Sequence, residues 1–284
     1  MTARPCALVV DGGAALEERL DHGVAVVPVR IRIDEQDFVD DGRTHRYPGF
    51  YRELRPSQNV ATSTPAPGEY LEAFKRSDGD AVICLTIPAK WSAMYDAATL
   101  AASMLEAEEG RRRVTVIDTG TAAGGLALVA RLAAAACADG VAADAVQSQV
   151  AAACRDVRMY GALATLTYVS RSGRVPSLIA GISNSLRVRP VFKLHGGETG
   201  RVALTRTSSG AIHALQRAAA SNLNGDPQWM LVFHANADPE AQALSESLAE
   251  ATTVARSETI PLSPISGAYT GPGTIGFASI PVSG

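Results

Sequence analysis

The chain has 284 residues, of which 46% are hydrophobic and 19% charged, and its 26 basic and 29 acidic side chains give a net charge of −3. This composition is typical of a soluble globular protein with one large or two ordinary domains. The near-neutral charge and an aromatic content of 5% disfavour nucleic-acid binding, which needs a basic surface or stacking rings. The most apolar segment, residues 125–138, contains Arg131 and is too short to span a bilayer, so we expect a cytoplasmic protein without a membrane span.

Apolar runs and helical patterns alternate in the first half of the chain. Buried strands are predicted at residues 6–10, 24–33, 81–87 and 114–117, and helices at residues 92–106, in the segment that ends at Cys137, and at residues 143–157. Because these strand patterns are continuously apolar and separated by helices, they indicate a parallel sheet with helices on both faces. Ligands of such sheets bind beyond the carboxyl ends of the strands.

A different pattern begins near residue 161. Strands are predicted at residues 188–194, 201–207, 229–233 and 274–281, and helices at residues 209–220 and 239–251. These segments indicate a second α/β domain whose strands are shorter and more exposed. The predicted fold class is therefore α/β, with an N-terminal parallel-sheet domain at residues 1–160 and a C-terminal α/β domain at residues 161–284.

The four cysteines are far apart in the chain and form no C-x-x-C pair. Each of Cys6, Cys84, Cys137 and Cys154 lies in an apolar stretch. This placement predicts small core residues in a reducing compartment rather than disulfides or zinc ligands.

Two strand-to-helix junctions carry hydroxyl side chains where a parallel sheet would place a ligand. Residues 62–65 (TSTP) precede one predicted helix, and Ser92 follows the strand that ends at Ile87. Both junctions also have a structural interpretation, since Ser and Thr are favoured helix N-caps and proline suits a first turn. Capping and binding are compatible, because a helix N-terminus offers free N–H groups to an anion.

A third junction, residues 118–125, is rich in glycine but matches neither G-x-G-x-x-G nor the Walker sequence. Its glycines favour close packing of a helix on the sheet. The five histidines are scattered without a triad signature, no G-x-S-x-G elbow occurs, and no His/Cys cluster suggests a metal. The sequence therefore predicts no catalytic residue and no metal site.

Several short motifs, taken together and in order, resemble those of the DegV family. The first half carries Asp11 at a strand end, VVP at 26–28, DG at 41–42, TSTP at 62–65, IPAKWSAMYDA at 87–97, VID at 116–118 and GGL at 124–126. The second half carries SGR at 172–174, RP at 189–190, GG at 196–197, TR at 205–206 and YTGPG at 269–273. The resemblance covers essentially the whole chain.

The resemblance implies a two-domain DegV-like fold that binds a long-chain fatty acid, such as palmitate or oleate, between its domains. It further implies a lipid-binding protein, without catalysis or cofactor of its own, that presents the acyl carboxylate to a separate ATP-dependent fatty acid kinase subunit for acyl phosphate formation. By position, Thr62 and Ser92 would hold the carboxylate. The resemblance also implies that Arg174, Arg206 and Tyr269 contact the head group or the partner.

Several positions depart from the family pattern. Tyr269 replaces the family histidine before T-G-P-G, Gly12 replaces a serine, and Ala93-Met94 replaces Gly-Thr. Tyrosine donates a hydrogen bond but stays neutral, whereas histidine can neutralise an anion near neutral pH. A lipid carrier or sensor without kinase coupling is therefore the alternative hypothesis. A transferase or hydrolase that uses the 120–125 turn for phosphate is a third.

A fatty acid also needs an apolar tunnel. Two alanine-rich helices carry larger apolar side chains that can line one, namely Leu100, Met104, Leu126, Leu128, Val129 and Leu132. Small neighbouring residues leave room, and methionine adapts to an irregular ligand. The same helices can equally form a filled core, and the sequence leaves both interpretations open.

Overall fold

The structure, a computed structural model, describes residues 4–19, 22–55, 59–111, 113–172, 188–223 and 225–282. Its strands are β1 (Arg4–Asp11), β2 (Val24–Val27), β3 (Val29–Ile33), β4 (Gln36–Asp40), β5 (Val60–Ser63), β6 (Gly79–Thr86), β7 (Val114–Asp118), β8 (Arg158–Ala162), β9 (Arg189–His195), β10 (Glu198–Thr205), β11 (Gln228–His234), β12 (Val254–Pro261) and β13 (Ile275–Pro281). Its helices are α1 (Tyr47–Glu53), α2 (Pro67–Arg76), α3 (Met94–Glu109), α4 (Gly124–Ala138), α5 (Ala143–Asp156), α6 (Thr167–Ser172), α7 (Ser208–Asn222), α8 (Asp238–Ala251) and α9 (Pro264–Thr270).

Strands β2, β1, β6 and β7 form a four-stranded parallel sheet in that order. The predicted parallel sheet is therefore confirmed. The middle of β1 is buried on both sides, because α2 and α3 pack on one face of the sheet and α4 and α5 on the other. A strand covered on both faces has to be apolar throughout, which explains the uninterrupted hydrophobic run that predicted it.

A small antiparallel sheet, β4-β3-β5, lies beside the parallel one. The single strand predicted at 24–33 is divided at Pro28 into β2 and β3, which belong to different sheets. Proline has no N–H to give to a ladder, so it stands where the chain leaves one sheet for the other. β4 and β5 have few apolar residues, and the sequence did not predict them.

The second half builds a six-stranded sheet in the order β10-β9-β8-β13-β11-β12. Its neighbours are antiparallel except for the parallel pair of β11 and β12. α7 and α8 cover one face, and α4 packs on β11 and β13. We call the part built on the two N-terminal sheets the first lobe, and the part built on this sheet the second lobe. The second α/β unit is as predicted, but β8 and β12 were missed.

Helix α4 joins the two lobes, because it contacts β1 of the first and β11 and β13 of the second. Leu126, Leu128 and Val129 on this helix are fully buried, within a cluster that includes side chains of both lobes. No helix in the described part of the chain is long and apolar enough to cross a bilayer.

The expectation for the cysteines was wrong at one pair. Cys6 of β1 and Cys137 of α4, which are 131 positions apart in the chain, form a disulfide with Cα atoms 5.5 Å apart. Packing of α4 against β1 brings the two thiols together, and no local spacing in the sequence records that contact. Cys84 is free and buried, and Cys154 is free and half-buried.

Candidate functional site

One cavity lies between the two lobes, and we call it the interlobe cavity. Its volume is about 160 Å³, roughly ten times what one buried water needs. It lies beyond the carboxyl ends of β1 and β6, where a parallel sheet places its ligand. Its walls are mostly apolar and include Ile87, Trp91 and Met94 from the first lobe and Leu163, Phe192 and Phe233 from the second.

Thr62 and Tyr269 meet at this cavity from opposite lobes. Thr62 belongs to β5, which pairs with β3 so that Thr62 stands opposite Ile31. Tyr269 lies in the last turn of α9 in the second lobe. Its hydroxyl shares a hydrogen bond with the Thr62 Oγ1, and both side chains line the cavity. The structure thus brings together two of the residues that the sequence singled out.

Ser92 lines the same cavity, in the loop between β6 and α3. Its Oγ accepts a hydrogen bond from the Met94 amide at 3.3 Å and lies 3.5 Å from the Thr64 Oγ1. The N-cap of α3 is Ala93, so Ser92 is not the helix cap, although it lies beside the first turn of α3 and faces the cavity.

The capping interpretation of residues 62–65 is wrong. The N-cap of α2 is Ala66, whose amide donates to the Glu69 Oε2 at 2.9 Å. Thr62 is instead held in the ladder between β5 and β3. The side chains of this segment that line the cavity are consequently not engaged in starting the helix.

Glycines permit the tight packing around the cavity. A Cβ at Gly124 would overlap the ring of Phe233, and one at Gly161 would overlap the ring of Phe192. Both rings belong to the cavity wall. Gly124 thus has the close-packing role that the sequence favoured for the glycines of residues 118–125.

The predicted tunnel residues lie elsewhere. Leu100 and Met104 of α3 are 54% and 39% exposed, and the leucines and valine predicted on α4 belong to its shared core. Only the start of each helix reaches the cavity, through Met94 for α3 and through Ala122 and Ala123 just before α4. Helical periodicity identified apolar faces, but it does not distinguish a face on a protein core from one on a ligand.

Two buried carboxyl groups lie beside the cavity, and the sequence analysis assigned no role to either of them. Asp11 lines it, and its Oδ1 accepts from the Gly13 amide at 2.7 Å, while its Oδ2 has no hydrogen-bond partner within the described residues. Burial raises the pKa of Asp11 to about 6. Burial, together with the negative charge of Asp11, raises the pKa of Asp40 to about 7. Both groups therefore hold protons at a higher pH than ordinary carboxyls.

The structure describes only one of the two arginines that the resemblance assigns to the head group or the partner. Arg206 is exposed after the end of β10, and the described residues that line the cavity do not include it. Arg174 lies outside the described residues. His234 is buried, and its Nδ1 accepts from the Ala237 amide at 3.2 Å, which is a structural role.

A second, polar crevice lies where the β7–α4 loop meets the β9–β10 turn. The Gly197 amide donates to the Gly120 carbonyl at 2.6 Å, and Lys90 pairs with Glu198. Asp118 accepts from the amides of Ala89 and Gly120, so its carboxylate is occupied by the loop. Within the described ranges no cluster of three metal-ligating side chains occurs.

Known proteins share the sequence and the fold of this chain. The sequence profile of the family described as "Uncharacterised protein, DegV family" matches residues 5–282. A DegV domain-containing protein of Streptomyces coelicolor is 29% identical over 280 residues, which cover 96% of this chain and 98% of that protein.

Two solved structures have the same architecture. One is described as fatty acid binding of a DegV family protein from Thermus thermophilus; it is 26% identical with a TM-score of 0.84, over 98% of this chain and 100% of that one. The other is the Streptococcus pneumoniae fatty acid kinase B3 protein loaded with linoleic acid. It is 20% identical with a TM-score of 0.84, over 98% of this chain and 99% of that one, and this likeness concerns the fold alone.

Proposed function

This chain belongs to the DegV family, and from that premise we propose that it binds one long-chain fatty acid in the interlobe cavity and has no catalysis of its own. The proposal rests on one observation: a mostly apolar cavity between two lobes brings together the hydroxyls of Thr62, Ser92 and Tyr269. A fatty acid has the matching chemistry, because its tail is apolar and its carboxylate accepts hydrogen bonds. The Thermus relative, described as fatty acid binding, supports the assignment.

The tail provides the affinity. Each buried methylene is worth about 0.8 kcal/mol, so a long chain offers roughly 10 kcal/mol before ordering costs are subtracted. Aromatic walls such as Phe192 and Phe233 suit this role, since neither ring has a polar atom that the ligand would leave unpaired. Palmitate and oleate are the probes that this chemistry calls for.

The carboxylate provides the orientation. Burying it without partners would cost several kcal/mol, so it has to accept hydrogen bonds inside the cavity. Thr62 and Ser92 are the proposed donors, with Tyr269 beside Thr62. Hydrogen bonds to a charged group are worth about 1.5–3 kcal/mol each, enough to fix the head while the tail supplies most of the binding energy.

We extend the proposal to a partner: a separate ATP-dependent kinase subunit phosphorylates the presented carboxylate. In that step a carboxylate oxygen attacks the γ-phosphorus of ATP, the bond to the β-phosphate oxygen breaks, and acyl phosphate and ADP result. The shared fold with the Streptococcus kinase B3 protein supports the extension. This extension implies a cytoplasmic location, since the kinase subunit needs ATP. The extended proposal also includes contacts of Arg174 and Arg206 with the head group or the partner. It divides the chain into two domains, residues 1–160 and 161–284, with the ligand between them.

One observation favours an alternative, a lipid carrier or sensor without kinase coupling. Tyr269 stands where the family has histidine, and its hydroxyl is bonded to Thr62. A phenol has no positively charged form, whereas a protonated imidazole does, so Tyr269 supplies no positive charge to the transferring phosphoryl group.

Lipid analysis tests the binding itself. Protein purified under native conditions is extracted and its lipids are identified by mass spectrometry, and delipidated protein is titrated with oleate and with methyl oleate, which lacks the charged head. We expect one acyl chain per protein and tighter binding of oleate than of the ester. Absence of any acyl chain, together with no thermal shift on adding palmitate or oleate, would contradict the proposal.

Reconstitution separates the two versions. The oleate-loaded protein is incubated with a fatty acid kinase subunit and ATP, and acyl phosphate is trapped with hydroxylamine. Formation of the hydroxamate supports kinase coupling. Its absence, with the Streptococcus B3 protein as a positive control in the same assay, supports the carrier or sensor.

A further inference from the structure

We propose that Asp40 is a positioning residue for the head of the bound fatty acid: it fixes the start of α9 so that Tyr269, near the other end of that helix, reaches Thr62. This inference rests on the proposed function, because Tyr269 is one of the hydroxyls assigned to the carboxylate. Asp40 does not appear among the described residues that line the interlobe cavity, so it acts through α9 rather than on the ligand.

The contact between Asp40 and α9 crosses from the first lobe to the second. The Oδ2 of Asp40 accepts a hydrogen bond from the Ile265 amide at 2.9 Å, and its Oδ1 lies 3.5 Å from the Gly42 amide. Ile265 is the second residue of α9, and amides of a first helical turn have no partner within the helix. Asp40 thus satisfies an amide that α9 cannot satisfy by itself.

Helix α9 depends on such contacts for its placement. It has seven residues, and helices of that length are not stable alone in water. Tyr51 of the first lobe donates its hydroxyl to the Leu262 carbonyl at 2.9 Å, just before the helix. A side chain at Gly267 would collide with the same Tyr51 ring, so the helix lies directly on it. Asp40 and Tyr51 together hold the N-terminal half of α9.

One small sheet holds both ends of α9. Asp40 ends β4 and pairs with Val29 of β3, while Thr62 in β5 pairs with Ile31 of the same strand. Ile265 and Tyr269 are four residues apart, about 6 Å along the helix axis. Asp40 therefore binds the first turn of α9 and Thr62 binds the last, both from the sheet β4-β3-β5. If the contact between Asp40 and Ile265 is lost, Tyr269 is no longer aligned with Thr62.

Burial makes the Asp40 contact hard to replace. The residue is 0% exposed, so water does not take over its role without a rearrangement of β4 or α9. An amide that loses a buried partner is penalised by its full desolvation, and the helix relieves that penalty by moving. The motion is transmitted to Tyr269 because the two residues share one helix.

A double-mutant cycle tests the inference. Oleate affinity is measured for the wild type, Asp40→Ala, Tyr269→Phe and the double variant, each checked for folding by circular dichroism. We expect Asp40→Ala to weaken binding about fivefold in the wild type and less than twofold in the Tyr269→Phe background, because interacting residues are not additive. Asp40→Asn keeps a carbonyl acceptor for Ile265 and should weaken binding only about twofold.

Asp41→Ala is the matched control, because Asp41 is the next residue and pairs with Arg43 and Arg46 on the surface. It should leave oleate affinity unchanged. An equal loss from Asp40→Ala in both backgrounds, or no loss in a folded variant, would overturn the inference. If Asp40→Ala does not fold, Asp40→Asn is carried through the same cycle, where an equal loss in both backgrounds has the same meaning. A wild type that binds no oleate contradicts the proposed function instead.

Discussion

The hydroxyls of Thr62 and Tyr269, 207 positions apart in the chain, hydrogen bond to each other across the two lobes. Either oxygen can donate, and one of the two hydroxyl hydrogens lies between them. The two hydroxyls therefore form one unit whose geometry exists only when both lobes are in place.

Tyr269→Phe removes the phenol from this unit. We expect oleate affinity to fall about tenfold, in line with the loss of a hydrogen bond to a charged group. Thr62→Val should cost a similar amount, and the two changes together less than the product of both, because the hydroxyls act as a pair. Tyr160→Phe is the control, since Tyr160 stacks on Phe277 in the second lobe away from the cavity wall. Fully additive losses in titration calorimetry would contradict the pairing.

Ser92→Ala tests the other proposed donor. Oleate affinity should again fall about tenfold, and the free energy of unfolding should fall by about 1 kcal/mol because the Met94 amide loses a hydrogen-bond acceptor. Ser103→Ala is matched to it, since Ser103 is an exposed serine of α3 that donates to the Thr99 carbonyl. A Ser92→Ala protein with wild-type affinity would remove the assigned role of this side chain.

Asp11 and Asp40 make stability depend on pH. Their pKa values are raised from 3.8 to about 6 and about 7, so the folded protein binds their protons more tightly than the unfolded chain does. The free energy of unfolding should therefore be highest near pH 4 and fall as pH rises to about 7, by up to about 1.4 kcal/mol per pH unit and carboxyl. Urea denaturation between pH 5 and 8 measures this slope.

Asparagine variants identify the groups responsible for that slope. Asp11→Asn and Asp40→Asn should each flatten it, because a neutral amide does not titrate. Asp37→Asn should not, because the neighbouring Arg32 lowers the pKa of Asp37 and its titration ends below this window. A wild-type slope in both the Asp11 and the Asp40 variant would contradict the assignment.

Ala123, at the cavity wall, has a backbone conformation that favours glycine. Its φ of 48° and ψ of −126° lie outside the regions open to residues with a Cβ. Ala123→Gly should therefore raise the free energy of unfolding by about 1 kcal/mol, as relief of strain exceeds the added chain entropy. Ala127→Gly, inside α4, should lower it by a similar amount. Thermal denaturation distinguishes the signs, and a loss in both variants would contradict the strain.

The sequence predicted the elements whose signal is local. β1, β6 and β7 were found because a strand covered on both faces is apolar along its whole length. β12, by contrast, lies at the edge of its sheet with the sequence VARSETIP, and most of its side chains reach solvent. Its polar residues resemble those of a loop, so the strand was missed.

The same distinction applies to the candidate site: residues with a local sequence pattern were predicted, and long-range contacts were not. The position of Ser92 at the cavity could be predicted because it follows a strand at the carboxyl edge of the parallel sheet, where ligands bind. The same rule was applied to Thr62, which also lines the cavity but belongs to the antiparallel strand β5. The contact of Asp40 with Ile265 joins residues 225 positions apart, and the disulfide joins Cys6 and Cys137, 131 positions apart. Such pairings arise from the packing of the lobes, and the spacing of residues in a single sequence does not indicate them.

The position of β13 within its sheet determines when the interlobe cavity can form. β13 follows every other described strand in the chain, yet it lies in the middle of its sheet between β8 and β11. Thr274, just before it, belongs to the cavity wall. During synthesis the ribosome has to extrude this last strand before the sheet around it can close. The interlobe cavity is therefore complete only after β13 has been made and has joined β8 and β11.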